Sequence, residues 1–309
     1  MTYGLVGYPV KHSFSPAMHN AAFRELGIDA SYSLFEVPPQ DIPAFLNDPA
    51  YSFSDTAGSR RYKPADLSGF NVTIPHKIAV KEILEKKYPG QPAADNELYY
   101  VRVSGAINTV KNEGGMISYR NTDVLGFLIS LKEDLGFSPK GKNAMLIGCG
   151  GAGRAIIAGL TWEADRAEKI YIYEKSPQSR GNAEKQFAFN AIDGMLNGKG
   201  KEIITFIGEE DIPARLEECD ILVNTSPLGM KEGDPSPVKK EWLKKGAAVY
   251  DIVYNRTTRL LDDARASGLA ASGGLGMLLH QGAAAFEFWT GGKAPVGVMR
   301  RALKEAAGL

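Results

Sequence analysis

The segment Asn143-Ala-Met-Leu-Ile-Gly-Cys-Gly-Gly-Ala-Gly-Arg154 constrains the fold of this 309-residue chain more than any other. It begins with an apolar run, continues into a glycine-rich turn and is followed by residues rich in Ala, Ile and Leu. Gly148, Gly150 and Gly153 have the G-x-G-x-x-G spacing, which indicates a dinucleotide site when a strand precedes it and a helix follows. We therefore predict a strand, a tight turn and a helix whose first N–H groups bind a pyrophosphate.

A glycine motif of this kind also occurs as an ordinary connection in other α/β proteins, so its surroundings matter. A second apolar run, residues 169–173, ends in Glu174, about 20 positions after Gly153. A carboxylate in this place accepts hydrogen bonds from the adenosine ribose of a dinucleotide. The two features together favour a dinucleotide site over an ordinary connection.

Runs typical of strands and helices alternate through the second half of the chain. The predicted strands cover residues 144–147, 169–174, 202–207, 220–224 and 248–252, and the predicted helices cover residues 152–163, 178–196, 210–218 and 258–267. This alternation predicts parallel strands with right-handed crossovers. The fold class is therefore α/β, with a doubly wound sheet that binds ligands at the carboxyl edge of its strands.

The first part of the chain shows a second α/β pattern. Its predicted strands cover residues 2–7, 30–37, 69–74, 105–111 and 116–120, and its predicted helices cover residues 17–26, 40–47, 77–87 and 97–104. Residues 48–67 have little periodicity and predict a long surface loop. An amphipathic helix over 124–135 is expected to link two domains, and residues 273–309 predict helices, the last of them opened by Pro295.

Composition excludes several classes of protein. The formal net charge is zero and the pI is about 6.9, which gives no indication of a nucleic-acid partner. The His residues are too scattered for a structural zinc site, and Cys149 and Cys219 do not form a disulfide framework. Polar residues follow the N-terminus too soon for a signal peptide, and no apolar run is long enough for a membrane helix. We expect a soluble, cytoplasmic monomer or homodimer that holds no metal ion.

Two serines near the N-terminus are candidates for anion binding. Ser13 and Ser15 are two positions apart, so in an extended segment their hydroxyls would point the same way and could hold a carboxylate. Ser15 followed by Pro16 is also typical of a helix N-cap and first helical residue. Capping would explain Ser15 but not Ser13.

Lys77 is a candidate for chemistry because of where it lies. It begins a predicted helix directly after the strand over residues 69–74, and a cation in the first helical turn opposes the helix dipole. Asn71 and Thr73 share one face of that strand. The alternative for Lys77 is an ordinary solvated lysine. Asp123 directly precedes the predicted helix over 124–135, where an aspartate is typical of a helix N-cap.

Several motifs in chain order together resemble the shikimate dehydrogenase family, including its shikimate/quinate members. They are Ser13-Phe-Ser-Pro16, Asn71-Val-Thr-Ile-Pro-His-Lys77, Gly105-Ala-Ile-Asn-Thr109, Asn121-Thr-Asp123, Gly148-Cys-Gly-Gly-Ala-Gly153, Asn224-Thr-Ser-Pro-Leu-Gly229, Tyr250-Asp-Ile-Val-Tyr254 and Gly274-Leu-Gly-Met-Leu278 with Gln281. The resemblance covers nearly the whole chain. It implies a substrate-binding domain over residues 1–122 plus 275–309 and an NAD(P)-binding Rossmann domain over residues 123–274.

The resemblance also implies a reaction, the reversible NAD(P)-dependent reduction of 3-dehydroshikimate to shikimate in aromatic amino-acid biosynthesis. The implied catalytic pair is Lys77 and Asp123. The implied substrate ligands are Ser13 and Ser15 for the ring carboxylate, Thr73, Asn108 and Gln281 for the ring hydroxyls, and Tyr254 near the carboxylate. The implied cofactor-binding residues are Gly148, Gly150, Gly151, Ala152, Gly153, Glu174, Lys175, Thr225, Gly274 and Met277.

One segment departs from the family pattern. Most members carry Asn-Arg-Thr after the second Rossmann strand, where Arg meets the 2′-phosphate of NADP, whereas this chain has Glu174-Lys-Ser176. A carboxylate accepts from a free 2′-hydroxyl and repels a phosphate, so we predict a preference for NAD. Lys175, Ser176 and Arg180 leave NADP open.

Substrate choice within the family has several alternatives. Serine at both positions 13 and 15 looks more like the shikimate-selective pattern. The alternatives are a quinate/shikimate dehydrogenase, an aminoshikimate dehydrogenase and a catalytically silent dinucleotide-binding homologue.

Overall fold

The computed structural model describes residues 1–58, 60–89, 95–188 and 200–309. The chain divides into two compact units, which we call unit 1 and unit 2. Unit 1 comprises Met1–Val101, Gly105–Thr122 and Leu279–Leu309, and unit 2 comprises Arg102–Ser104 and Asp123–Leu278. The principal division lies between Thr122 and Asp123, and residues 102–104 and 275–278 belong to unit 2.

The strands alternate with helices along most of the chain. The strands are β1 Thr2–Gly7, β2 Ser31–Glu36, β3 Phe53–Ser54, β4 Arg61–Tyr62, β5 Gly69–Val72, β6 Thr109–Glu113, β7 Met116–Arg120, β8 Asn143–Ile147, β9 Lys169–Tyr173, β10 Ile204–Phe206, β11 Ile221–Asn224, β12 Ala248–Asp251 and β13 Ala271–Gly273. The helices are α1 Ser15–Glu25, α2 Ile42–Asn47, α3 Lys77–Lys87, α4 Asp95–Ser104, α5 Asp123–Leu135, α6 Gly151–Thr161, α7 Pro177–Phe187, α8 Gly200–Ile203, α9 Ile212–Glu218, α10 Arg259–Ala266, α11 Leu275–Thr290 and α12 Val296–Ala306.

Unit 1 is built on a five-stranded mixed sheet with the order β2-β1-β5-β6-β7. β1 is parallel to β2 and to β5, whereas β6 is antiparallel to β5 and to β7. The carboxyl ends of the three parallel strands therefore meet at one edge of the sheet. The chain leaves this edge in the segments that carry Ser13 and Thr73.

The prediction of a surface loop over residues 48–67 is wrong. β3 and β4 pair as a small antiparallel sheet, and Phe53 and Tyr62 are only 6% and 7% exposed. Both rings contact Phe35 edge to face, each with 5.1 Å between ring centroids. Strands of two residues are too short to produce a period in the sequence, so only the aromatic residues could have indicated that the segment contributes to the core.

Unit 2 contains a six-stranded sheet with the order β10-β9-β8-β11-β12-β13, in which every neighbouring pair is parallel. Numbered within the unit, this is the doubly wound order 3-2-1-4-5-6. The strand order reverses between β8 and β11, the place where such sheets bind ligands. The α/β fold class predicted from the sequence is confirmed.

Three details of unit 2 differ from expectation. Glu202 and Ile203, predicted to begin a strand, end α8, and β10 begins at Ile204. β13 completes the sheet, although its short sequence of Ala, Ser and Gly gave no strand pattern. The helix expected over residues 178–196 ends at Phe187 as α7, and residues 189–199 lie outside the described residues.

Among the helices of the described residues, none is long and apolar enough to cross a membrane.

Candidate functional site

The glycine turn of unit 2 follows β8 directly. Gly148 has φ +96°, a conformation that side chains with a Cβ rarely adopt. A Cβ added to Gly148 would lie 2.8 Å from the backbone nitrogen of Ser226. The Gly148 N–H donates to the carbonyl of Tyr173 at 2.7 Å, which ties the turn to the end of β9. Gly148 is therefore required by the turn itself.

The other two glycines of the motif have different surroundings. A Cβ on Gly153 would lie 2.7 Å from the hydroxyl oxygen of Thr225, so α6 can approach β11 only with glycine there. A Cβ on Gly150 would meet nothing within 4 Å. This open space lies beside the first residues of α6, Gly151 and Ala152, whose N–H groups belong to a first helical turn. The turn thus fits a pyrophosphate at its centre.

Thr225 closes the turn at the reversal of the strand order. Its N–H donates to the carbonyl of Ile147 at 2.8 Å, and its hydroxyl donates to the carbonyl of Gly148 at 2.7 Å. These bonds hold the ends of β8 and β11 together. Thr225, predicted to bind cofactor, lies at the predicted edge and has its hydroxyl directed to the glycine turn.

Glu174 lies beside the same turn, at the end of β9. One carboxylate oxygen accepts from the N–H of Cys149 at 2.7 Å, and the other accepts from the N–H of Ser176 at 2.9 Å. Hydrogen bonds to an ionised acceptor are the stronger kind. The carboxylate is therefore fixed next to the turn. Burial raises the pKa of the Cys149 thiol to about 12, so this cysteine is not a reactive thiolate.

Two cationic side chains, those of Lys175 and Arg180, follow Glu174 in the sequence. Lys175 is exposed. Arg180 donates to the carbonyl of Ile207 at 2.7 Å and to the carboxylate of Glu184 at 2.8 Å. Arg180 is thus engaged within its own unit.

A buried polar group that sequence reasoning missed organises the loops after β11 and β12. Asp251 is fully buried and accepts hydrogen bonds from the amide of Asn224 at 2.9 Å, the N–H of Val253 at 3.1 Å and the hydroxyl of Thr258 at 2.6 Å. Burial raises the pKa of Asp251. Asn224 ends β11 and Asp251 ends β12, and a polar residue near the end of each predicted strand was the available signal. Tyr254 lies in the segment that this carboxylate anchors.

Gly274 and Met277 follow β13. A Cβ on Gly274 would collide with the carbonyl of Ile252, and the N–H of Gly274 donates to the carbonyl of Val253 at 3.1 Å. The backbone approach explains the glycine by packing alone. Met277 is 7% exposed near the start of α11.

The serine pair of unit 1 adopts a different local structure from the one expected. The segment is a turn, and α1 begins at Ser15. The two hydroxyl oxygens are nevertheless 3.1 Å apart, and the N–H of Ser15 donates to the Ser13 hydroxyl at 3.2 Å. The alternative of Ser15 as N-cap is wrong, because Phe14 is the N-cap of α1 and no side chain makes a cap hydrogen bond there. The hydroxyls lie together at the N-terminus of a helix.

Lys77 is the first residue of α3, as predicted. His76, immediately before it, is 1% exposed and its Nε2 donates to the carbonyl of Val37 at 2.7 Å. Burial lowers the pKa of His76, which favours the neutral ring. Because a carbonyl only accepts, Nε2 carries a proton. The Lys77 carbonyl accepts from the N–H of Ile107 at 3.0 Å. His76, which we did not predict, fixes the main chain beside Lys77.

Asn108 and Gln281 come together in the interior of unit 1. The Asn108 amide nitrogen donates to Oε1 of Gln281 at 3.4 Å and to the Thr122 hydroxyl at 3.0 Å. Asn108 Oδ1 accepts from the Thr122 N–H at 2.7 Å. Asp123, the next residue, begins α5 and is 4% exposed. Thr73 lies just after β5, where its N–H donates to the carbonyl of Val6 at 2.9 Å.

The predicted site residues divide between the units. Unit 1 contains Ser13, Ser15, Thr73, Lys77, Asn108 and Gln281. Unit 2 contains Asp123, Gly148, Gly150, Gly151, Ala152, Gly153, Glu174, Lys175, Thr225, Tyr254, Gly274 and Met277.

Comparison with known proteins agrees with this fold. Residues 5–110 match the family model described as the shikimate dehydrogenase substrate binding domain, and residues 274–304 match the shikimate 5'-dehydrogenase C-terminal domain. Shikimate dehydrogenase (NADP(+)) of Methanopyrus kandleri is 38% identical over 305 residues, which cover 98% of this chain and 94% of that protein.

Solved structures give the same result. The crystal structure of a shikimate dehydrogenase in complex with NADP+ has a TM-score of 0.77 and 34% identity, and the alignment covers 99% of this chain and 95% of that one. The shikimate 5-dehydrogenase from Listeria monocytogenes, in complex with shikimate and NAD, has a TM-score of 0.75 and 31% identity over 97% of this chain and 95% of that one.

The parallel sheet of unit 2, with a G-x-G-x-x-G turn at the reversal of its strand order, defines an α/β oxidoreductase with a Rossmann-type dinucleotide domain. The identity over the full length of known members specifies the family. The chain belongs to the shikimate dehydrogenase family.

Proposed function

We propose that this protein catalyses the reversible, NAD(P)-dependent reduction of 3-dehydroshikimate to shikimate in aromatic amino-acid biosynthesis. The observation that carries the proposal is the 38% identity to a shikimate dehydrogenase across 98% of the chain. The fold of unit 2 and the open space at Gly150 support a bound dinucleotide.

The chemistry requires a proton donor at the substrate ketone. Bound NAD(P) would supply the hydride, and negative charge would develop on the ketone oxygen as it arrives. Lys77 has three donors and a labile proton, and we assign it to the ketone oxygen, with Asp123 orienting its ammonium group. In the oxidative direction, neutral Lys77 or a relay from Lys77 to Asp123 would take the alcohol proton.

We assign the ring carboxylate to the serine pair. The Ser13 and Ser15 hydroxyls are 3.1 Å apart, and Ser15 begins an 11-residue helix. A helix N-terminus favours an anion, so the dipole of α1 and the two hydroxyl donors act together. Tyr254 would add a hydroxyl near the carboxylate.

We assign the ring hydroxyls to Thr73, Asn108 and Gln281. Asn108 and Gln281 are 1% and 8% exposed, and buried polar groups of this kind reject a substrate that leaves them unpaired. Shikimate and quinate differ in ring unsaturation and in one hydroxyl, which quinate has in addition. Buried amides that bind the shared ring hydroxyls do not separate the two, so selection of shikimate is supported by serine at both positions 13 and 15.

We infer that NAD is the preferred dinucleotide. The Glu174 carboxylate is held beside the glycine turn by the N–H groups of Cys149 and Ser176. A carboxylate fixed there favours a 2′-hydroxyl and opposes a 2′-phosphate. Among relatives, the Methanopyrus kandleri protein is named for NADP(+), and the Listeria monocytogenes structure holds NAD.

Initial rates of shikimate oxidation, followed by absorbance of the reduced nicotinamide, test the proposed function. We expect kcat/KM to be at least about tenfold higher with shikimate than with quinate. Absence of turnover with shikimate would indicate a catalytically silent homologue, and a preference for quinate or aminoshikimate would overturn the substrate assignment.

The cofactor assignment has its own test in the same assay. We expect kcat/KM with NAD to exceed that with NADP by about tenfold or more. Glu174→Gln keeps the shape of the side chain and removes its charge, so it should reduce this ratio. A tenfold preference of the wild-type protein for NADP would refute the assignment.

A further inference from the structure

A chain of hydrogen bonds inside unit 1 joins the strands that carry its proposed substrate-binding groups. Its members include Asn71 on β5, Thr109 on β6 and Asn108 directly before β6, which are 4%, 0% and 1% exposed. Thr122, after β7, is 2% exposed. Asn71 and Thr109 belong to motifs that indicated the family, yet the proposed function gives neither a role.

The orientation of the Asn71 amide is set by main-chain chemistry. The carbonyl of Asn108 can only accept, and it lies 3.2 Å from the amide nitrogen of Asn71. The same nitrogen donates to the hydroxyl of Thr109 at 3.0 Å. Asn71 Oδ1 is consequently directed to Tyr32, whose hydroxyl donates to it at 2.8 Å. The Thr109 oxygen therefore accepts from Asn71.

The orientation of the Asn108 amide is set in the same way. The N–H of Thr122 can only donate, and it lies 2.7 Å from Asn108 Oδ1. The Thr109 hydroxyl donates to the same oxygen at 3.0 Å. The amide nitrogen of Asn108 must then face the Thr122 hydroxyl and Oε1 of Gln281. Main-chain groups therefore set the orientation of both amides, whereas the hydroxyls of Thr109 and Thr122, 3.0 Å apart, form a bond in which either can donate.

We propose that Asn71 and Thr109 are positioning residues for substrate recognition, because they hold the Asn108 amide, and through it the Gln281 amide, in one orientation. The inference rests on the proposed function, in which Asn108 and Gln281 bind ring hydroxyls. Neither Asn71 nor Thr109 is assigned a contact with the substrate. The same bonds hold the main chain at Thr122, the residue that precedes Asp123.

Thr109 offers the sharper test because two substitutions separate its hydroxyl from its shape. Thr109→Val is nearly isosteric, but it removes one donor to Asn108 Oδ1, which also accepts from the N–H and the hydroxyl of Thr122. It also leaves an N–H of Asn71 without its acceptor. Thr109→Ser keeps the hydroxyl and removes only a methyl group. A decrease in kcat/KM for shikimate in Thr109→Val that is absent in Thr109→Ser would therefore be caused by the lost hydrogen bonds.

The experiment is steady-state kinetics of shikimate oxidation by the full-length wild-type protein, Thr109→Val and Thr109→Ser. We expect Thr109→Val to lower kcat/KM for shikimate by about tenfold or more, since it leaves a buried donor unsatisfied. The KM for the dinucleotide should stay within about twofold, because that site is built from unit 2. Thr109→Ser should remain within about threefold of wild type for all constants.

Tyr32→Phe gives a second comparison, since it removes only the donor to Asn71 Oδ1 and leaves the bonds of Thr109 in place. Its effect on kcat/KM for shikimate should be smaller than that of Thr109→Val.

Several results would overturn the inference. They are a Thr109→Val protein with wild-type kcat/KM for shikimate, a Thr109→Ser protein as impaired as the valine variant, and a parallel rise in KM for the dinucleotide. Measurements on the wild-type protein distinguish failure of this inference from failure of the proposed function. A wild type that neither binds shikimate by calorimetry nor oxidises it refutes the proposed function and the inference with it, whereas an active wild type with an unaffected valine variant refutes the inference alone.

Discussion

The two units of this protein fix their candidate ligand-binding groups by different means. In unit 2, the turn after β8 is shaped by glycine and by main-chain bonds, such as that from Gly148 N–H to the Tyr173 carbonyl at 2.7 Å. In unit 1, the groups are held by side chains that bond to one another, as in the series from Tyr32 through Asn71 to Thr109. The first arrangement is therefore visible in the sequence as a spacing of glycines, whereas the second consists of polar side chains from separate segments that share no spacing.

The largest effect should come from substitution of Lys77, which should lower turnover without weakening dinucleotide binding. Lys77→Ala should lower kcat by about 1,000-fold and leave the Kd of the dinucleotide nearly unchanged, because the proposed proton donor lies in unit 1. Lys81→Ala is the matched control, since Lys81 is on the same helix and pairs with Glu85. Near-wild-type turnover of Lys77→Ala would contradict the assignment.

Substitutions of Gly148 and Gly150 should have different effects, one on stability and the other on dinucleotide binding. Gly148→Ala forces a Cβ into a φ of +96° and within 2.8 Å of a backbone nitrogen, so the Tm should fall by several degrees. Gly150→Ala meets no atom within 4 Å, so its Tm should be unchanged while the KM for the dinucleotide rises about tenfold. Thermal unfolding and kinetics check both, and equal loss of stability in the two variants would argue against distinct roles.

The stability of unit 1 should also depend on pH, because unit 1 contains a buried histidine. His19 is fully buried and stacks on Tyr32, and within the described part of the chain neither ring nitrogen has a hydrogen-bond partner. Burial lowers the pKa of His19 from 6.5 to about 3. Below pH 6.5 the unfolded chain therefore binds a proton that the folded chain does not, and stability decreases as pH falls toward 3.

At pH 5, protonation of His19 in the unfolded chain should lower the free energy of unfolding by about 2 kcal/mol. Urea unfolding at pH 7 and pH 5 measures it against His19→Phe, which keeps a ring and cannot titrate. The wild type should lose about 2 kcal/mol more than the variant between the two pH values. An equal loss of unfolding free energy in both proteins would show that protonation of His19 in the unfolded chain does not cause the pH dependence.

The smallest effect should distinguish the two serines. Ser13→Ala and Ser15→Ala should both raise the KM for shikimate, because each removes a hydroxyl from the proposed carboxylate site. Only Ser13→Ala should lower the free energy of unfolding, by about 1 kcal/mol, since the Ser13 hydroxyl accepts a hydrogen bond from the Ser15 N–H. Greater destabilisation by Ser15→Ala would restore the capping alternative for that residue.

The sequence could predict those features that depend on a local pattern. The spacing of Gly148, Gly150 and Gly153 and the alternation of strands and helices indicated the parallel sheet and its turn, and the order of strands in unit 2 confirms the fold class. Pro75 and Lys77 likewise marked the start of α3. Each of these features leaves a local pattern in the sequence, although the sheet itself is formed by distant segments.

Features that depend on contacts between distant residues could not be predicted. Phe53 and Tyr62 pack on Phe35, although their segment has no period of its own. Ser13 and Ser15 face one another through a turn rather than an extended strand. The roles of His76 and Asp251 depend on groups that the sequence places far away, at Val37 in one case and at Asn224 in the other.

Initial-rate kinetics of the wild-type protein, Thr109→Val and Gly150→Ala, with shikimate and dinucleotide both varied, test whether unit 1 recognises shikimate and unit 2 binds the dinucleotide. We expect the wild type to oxidise shikimate. We also expect that only Thr109→Val reduces kcat/KM for shikimate at saturating dinucleotide, and that only Gly150→Ala raises the KM for the dinucleotide. A wild type without shikimate turnover, or variants that each weaken both ligands equally, would contradict this assignment.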